Sequence, residues 1–285
     1  METTHGTEVK NKAELATGSS WAMRTLDVSS IISFFALEAL LGYRMSANHP
    51  LALWPMFSLT ILAYIFADFI SGFFHWMADT WGSIDTPLAG KVFVRPFREH
   101  HVDQFSITRH AFVEVNGANS LISLPFLTAA QFLPMDTLWG RYAAFFVGMW
   151  LLGIFCTNQF HKWAHIQERP EWVEWLQRHR LILSYDHHQV HHQAPHTRYY
   201  CITSGWLNEP LYRSRFFPFL ERVVHAVTGM VPRNDDAGWL GIAPAHADAA
   251  LQHTSAPSGA QLATDCHATG IHASGTHATA ATKTS

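Results

Sequence analysis

Residues 51 to 74, LALWPMFSLTILAYIFADFISGFF, run for 24 positions with Asp68 as the one charged residue. A helix needs about 20 mostly apolar residues to cross a bilayer, so this run is long enough to span one. Three more apolar runs accompany it, at residues 28 to 43, 118 to 134 and 142 to 158. Together they predict an all-α integral membrane protein of about four transmembrane helices, rather than buried helices of a large soluble core. Lys91, Arg95, Arg98 and Arg109 follow the second run, and Lys162, Arg169, Arg178, Arg180 and Arg198 follow the fourth. The other two turns carry Arg44 and Arg141 alone. Positive residues held inside place both termini and the loop of residues 75 to 117 in the cytoplasm.

The expected organisation is an N-terminal cytoplasmic segment over residues 1 to 27, a membrane domain over 28 to 242 and a disordered tail over 243 to 285. The first segment has neither the apolar core nor the cleavage pattern of a signal peptide. The tail is rich in Ala, His, Thr and Ser and has too little apolar surface to offset the entropy of ordering. Cys156, Cys201 and Cys266 form no CxxC pair, and the formal charge of -3 shows no basic excess, so a disulfide framework and a nucleic-acid partner are both excluded.

Histidine is the compositional outlier: of 20 in the chain, twelve lie between residues 75 and 196. The second apolar run ends in FFHWMADT, with His75 and Asp79 four apart, and the fourth ends in FHKWAH, with His161 and His165 at the same spacing. That spacing puts both side chains on one helical face. Between them REHHVDQFSITRH carries His100, His101 and His110, and YDHHQVHHQAPH after them carries His187, His188, His191, His192 and His196. Neutral imidazole is the commonest metal-ligating side chain, and four boxes at one membrane face form a histidine-rich, metal-binding cytoplasmic cap. The count exceeds what one ion uses, so two ions are expected, and imidazole-rich coordination with open positions suits iron handling dioxygen.

The ligands expected are His75, His100, His101, His110, His161, His165, His187, His188, His191 and His192. Asp79 and His196 are either ligands or supports that orient a ligand. Asp68, seven residues before His75, and Asn158, three before His161, either hydrogen-bond a ligand's other ring nitrogen or serve helix packing. Trp172, Trp175, Leu176, His179 and Leu183 share one face of an expected interfacial helix, and Phe216, Phe217, Phe219, Leu220, Val223 and Val224 share one of another. Such covers would admit a lipid from the bilayer.

ADFISGFFHWMADTWGS, RPFREHHVDQFSITRH, TNQFHKWAH and HHQVHHQAPHTRYYCITSGWLNEPL resemble the Kua family, the plasmanylethanolamine desaturases, over roughly residues 60 to 235. The resemblance implies a membrane di-iron oxidase that uses O2 and two external electrons to turn the alkyl ether of a plasmanyl phospholipid into the vinyl ether of a plasmalogen. Hydrogen would leave C1 first, where the ether oxygen stabilises a radical, and then C2. His110 stands where a sister branch acting on acyl chains is expected to carry Arg. No GxGxxG fingerprint is present, so electrons come from a donor such as a b-type cytochrome or ferredoxin with its reductase. The host membrane would be the endoplasmic reticulum in a eukaryote or the inner membrane in a bacterium. An acyl-lipid desaturase or hydroxylase with the same site is the alternative, followed by a non-catalytic membrane metal-binding protein.

Overall fold

The computed structural model describes residues 21–47, 50–83, 85–87, 90 and 94–233. The expected tail, and the expected N-terminal segment up to residue 20, lie outside the described residues. Among the described residues the chain is helical, without strands. Four long helices are α1 (Trp21–Ser46), α2 (Leu53–Thr80), α5 (Phe112–Ala130) and α6 (Leu138–His165). Short helices fill the rest: α3 (Arg95–Val102), α4 (Ser106–Arg109), α7 (Glu171–Arg178), α8 (Tyr185–Gln189), α9 (Asn208–Arg213) and α10 (Phe216–Thr228). Helix α1 starts at Trp21 rather than at the boundary expected at residue 28.

Helices α1, α2 and α6 are long and apolar enough to cross a membrane. Helix α5, of 19 residues, carries Asn116 and Asn119 and a proline at 125. At about 1.5 Å per residue it is still close to the thickness of a hydrocarbon core.

The direction of each helix follows from its contacts. Helices α2 and α6 run the same way: Ala52 N donates to Tyr142 Oη near their starts, and His75 faces His161 at their ends with ring centroids 6.2 Å apart. Helix α1 runs against α6, with Phe34 stacked on Phe155 at 5.2 Å and Leu41 against Gly148. Helix α5 runs with α1, as Gln131 Nε2 donates to Leu37 O and Asn158 Nδ2 to Val115 O. Phe34, Leu41, Leu127, Ala144, Leu151 and Phe155 form the core these helices share.

Exposed aromatic residues mark one end of the bundle: Tyr43 at the end of α1, Trp54 at the start of α2, Phe132 just past α5 and Trp139 at the start of α6. Tyrosine and tryptophan favour headgroup depth. From Leu53 to His75, the helix rises roughly 33 Å at about 1.5 Å per residue, which is one hydrocarbon thickness. The histidine-bearing ends therefore emerge at the opposite face.

Residues 200 to 208 pack back onto α2, and Gly72 is where they touch. A Cβ at position 72 would sit 2.4 Å from Cys201 Sγ and 3.1 Å from its backbone N. That amide is itself held by Asn208 Oδ1 at 2.7 Å, so it cannot easily retreat. Gly72→Ala is expected to cost about 1–3 kcal/mol through overpacking, read as a lowered Tm of the detergent-purified protein.

Of the two expected interfacial helices, α10 spans its whole stretch, while α7 is shorter than the sequence suggested. Helix α7 stops at Arg178 because Arg180 turns left-handed at φ 55°, and the Leu181 amide closes back onto Leu176 O. Leu183 consequently leaves the expected face and is fully buried with Ala164 and Ile202. Trp172 and Trp175 stay exposed, as do Phe219 and Val223 of α10.

Candidate metal centre

The ends of α2 and α6, together with α3 and the segment from α8 to Tyr200, converge on two groups of side chains. His100, His161, His165, His188 and His192 form the first, and His75, Asp79, His101 and His191 the second. Within each group the ligand atoms lie within 4.8 Å of one another. In the first, His161 Nε2 is 2.8 Å from His188 Nε2 and 3.2 Å from His165 Nε2, and His192 Nε2 is 3.0 Å from His188 Nε2. In the second, Asp79 Oδ2 lies 3.3 Å from His75 Nε2, 3.6 Å from His101 Nε2 and 3.5 Å from His191 Nε2.

Helix geometry explains the division. Residues four apart share a face, so α2 gives both its members to the second group and α6 both of its to the first. Adjacent residues diverge by about 100° on a helix of 3.6 residues per turn. His100 and His101 on α3 thus split between the groups, and His191 and His192 do the same. The two groups are neighbours, with His188 and His191 ring centroids 5.7 Å apart.

Hydrogen bonds fix which nitrogen faces inward. His75 Nδ1 is 3.0 Å from Tyr200 O, and His191 Nδ1 is 2.9 Å from Arg198 O. A carbonyl can only accept, so each Nδ1 carries the proton and each neutral ring turns its Nε2 lone pair towards Asp79. Two imidazole lone pairs and a carboxylate oxygen therefore converge, an arrangement that a cation resolves. Left-handed backbone at His196 (φ 60°) and Tyr199 (φ 62°) bends the chain so that these carbonyls point back at the ligands.

The groups are also dry. His75, His188 and His191 are fully buried. Both ring nitrogens of His100, Nδ1 of His165 and Nδ1 of His188 are buried without a hydrogen-bond partner. Burial, then the neighbouring imidazoles, hold His100, His101, His188 and His191 well below the ordinary histidine pKa. They stay neutral at physiological pH and keep the lone pairs that a metal needs. The donor set fits two transition-metal ions.

Other expected site residues lie elsewhere. His110 is exposed beside Glu114, with Nδ1 3.4 Å from Glu114 Oε2. His187 stacks on Tyr199 and its Nε2 is 3.0 Å from Asn208 Nδ2. His196 stacks on His101 at 4.4 Å and places Nδ1 3.1 Å from His191 O. Asn158 serves packing, donating to Val115 O and to Asn119 Oδ1 on α5. Asp68 accepts from three backbone amides: Ser204 at 2.7 Å and Gly205 at 2.9 Å on Oδ1, and Leu207 at 3.1 Å on Oδ2.

Sequence reasoning passed over Asn208. It is buried, and its side chain pairs with both the N–H and the C=O of Cys201 at 2.7 and 2.9 Å, next to the Tyr200 carbonyl that orients His75. Its place in the LNEPL stretch, just after the histidine boxes, was the only signal.

The fold and the site define a helical membrane protein with two adjacent buried, imidazole-rich groups that could hold metal ions. The chain is a member of the lipid desaturase domain family, whose model matches residues 64–235. It is 49% identical to plasmanylethanolamine desaturase of Myxococcus xanthus, over 79% of this chain and 80% of the relative. It is 42% identical to plasmanylethanolamine desaturase 1 of Mus musculus, over 82% of this chain and 89% of the relative. Chloroplastic fatty acid desaturase 4 of Arabidopsis thaliana is 36% identical over 60% of this chain and 52% of its own length. No solved structure matches the chain.

Proposed function

We propose that the protein desaturates the alkyl ether chain of a plasmanyl phospholipid to the vinyl ether of a plasmalogen, using O2 and a pair of irons. The observation that carries this reading is the two adjacent buried groups at the membrane end of α2 and α6. The names of the relatives from Myxococcus and mouse supply the ether-lipid substrate. His100, His161, His165, His188 and His192 would hold one iron, and His75, Asp79, His101 and His191 the other. Iron held there would, with O2, supply an oxidant able to take hydrogen from carbon. Two hydrogens leave C1 and C2 of the alkyl chain, and with two external electrons and two protons they reduce O2 to two waters.

The chain's own residues position and protect. The carbonyls of Tyr200 and Arg198 fix the rings of His75 and His191, and the buried cluster keeps bulk water from the reacting carbon. Exposed Trp172, Trp175, Phe219 and Val223 rest the cap on the headgroup region. Electrons come from a separate b-type cytochrome or ferredoxin system. The cap faces the cytoplasm, on the endoplasmic reticulum or a bacterial inner membrane.

Cells that hold plasmanyl lipids but lack plasmalogens are expected to gain acid-labile vinyl ethers when they express this protein. Lipid mass spectrometry reads the gain, and His191→Ala should remove it. A new double bond in an ester-linked acyl chain, with no vinyl ether, would replace the ether reading with the acyl one.

A further inference from the structure

A surface cleft of about 580 Å³ reaches the first histidine group. It is lined by Phe105 and Thr108 on one side and by His165, Ile166 and Gln167 on the other. One wall is α4 with the residue before it; the other is the end of α6. His165 is a member of the first histidine group and is 1% exposed, so the cleft ends against the outer edge of that group. His75 and His191 of the second group have no exposed surface, while His192 of the first is partly exposed.

Phe105 gives the cleft an apolar, exposed lip. Val102, Phe105 and Phe112 are all exposed along the stretch from α3 to the start of α5. Two cations, outside the lining itself, bond to backbone carbonyls beside its two walls. Arg169 donates from Nη1 to Ile166 O at 2.7 Å, while its Nε is buried without a hydrogen-bond partner. Lys162 lies one turn before Ile166 on α6 and donates from Nζ to His110 O, just beyond α4. Glu114, the carboxylate near Lys162, already accepts from Ala111 N.

This juxtaposition has a chemical counterpart, on the reading of an ether-lipid desaturase given above. The reacting C1 is joined to the lipid phosphorus through six bonds. Three backbone bonds span at most about 3.6 Å, so six reach roughly 7 Å. A lipid with C1 at the metals must therefore put its phosphate beside them, and guanidinium and ammonium groups are what bind phosphate.

We propose that the cleft between α4 and the end of α6 is the phospholipid site, in which Lys162 and Arg169 hold the phosphodiester while the alkyl chain passes over Phe105 and Ile166 to His165. The two cations are binding residues for the headgroup linkage, and the uncovered apolar lip is where the chain arrives from the bilayer.

The test reads binding and turnover separately. Thr108→Cys, in a Cys266→Ser background and labelled with an environment-sensitive fluorophore, is titrated in maltoside micelles with a 1-O-alkyl-2-acyl glycerophosphoethanolamine. A 1-O-alkyl-2-acylglycerol that lacks phosphate is the second probe, and inorganic phosphate the third. The phospholipid is expected to bind about tenfold tighter than the alkylacylglycerol, in keeping with two charge-assisted contacts. Lys162→Gln with Arg169→Gln should abolish that preference at unchanged metal content, and Arg169→Lys should restore part of it. Equal affinity for both lipids, an unaffected preference in the double variant, or the same signal from inorganic phosphate alone would each overturn the assignment. Vinyl-ether formation is measured in the same micelles with O2 and with ferredoxin and its reductase, or a b-type cytochrome and its reductase, added as electron donor. Phosphate-dependent binding without any vinyl ether would refute the ether-desaturase reading and leave the lipid site standing.

Discussion

His161→Ala is expected to lower desaturation by more than about 100-fold and to drop the iron content from about two per chain to about one. The side chain sits between two other members of its group, 2.8 Å from His188 Nε2 and 3.2 Å from His165 Nε2. Losing a partner that merely supports a metal ligand already costs about 10–100-fold in metal affinity or activity, and losing a ligand costs more. The second group keeps all four of its members, so one ion should stay. His179→Ala is the control: its ring is exposed, Nδ1 lies 2.8 Å from Trp175 O, and it belongs to neither group. Turnover within about twofold of wild type is expected there, consistent with a surface substitution. Iron analysis alongside the lipid assay decides the matter: two irons retained in His161→Ala would remove it from the ligand set.

Asp68→Ala is expected to have the largest effect of any substitution remote from the metals. Its carboxylate is fully buried and accepts from the amides of Ser204, Gly205 and Leu207. Alanine strands three buried donors, each costing about 1–3 kcal/mol. A local loss of at least about 3 kcal/mol should speed amide exchange at those residues roughly 100-fold. The disturbance should spread to Asn208, then to Cys201 and the neighbouring Tyr200 carbonyl, and reduce iron at the second group. Asp68→Asn should fall between, because it keeps one acceptor oxygen and sets a donor against the remaining amides. Unchanged exchange at Ser204 and Gly205 in Asp68→Ala would show that this carboxylate does not hold the loop.

The same residue marks where the sequence stopped being informative. Periodicity puts Asp68 and His75 on one stripe of α2, which is correct, and leaves open whether Asp68 bonds a ligand or serves helix packing. The partners of Asp68 are instead amides more than 130 positions later in the chain, and no local pattern carries that distance. Asn158 likewise reads as a neighbour of His161 but bonds α5. The boxes themselves were legible because spacing decides them: His75 with Asp79, His161 with His165 and His188 with His192 all pair at four residues, as a helical turn requires. His187 and His191 have that spacing too, yet His187 turns to Asn208 while His191 joins Asp79. His110 shows the same limit: its box marks it as a ligand, but it falls after α4 ends, on the exposed side.

The centre draws on stretches of chain spread from residue 75 to residue 200, and the last of them supplies three ligands and both orienting carbonyls. A ribosome delivers α1, α2, α5 and α6 well before that final stretch. The long helices can thus settle in the bilayer while the centre is still incomplete. Full metal affinity would arise only when residues 184 to 208 fold back onto α2, which would make complete loading the closing event of biogenesis rather than a driver of it. Through that interval the early histidines stand open to whichever divalent ion is most abundant. Fidelity for the correct metal is therefore set by the cell's supply at the moment of closure as much as by the finished cage.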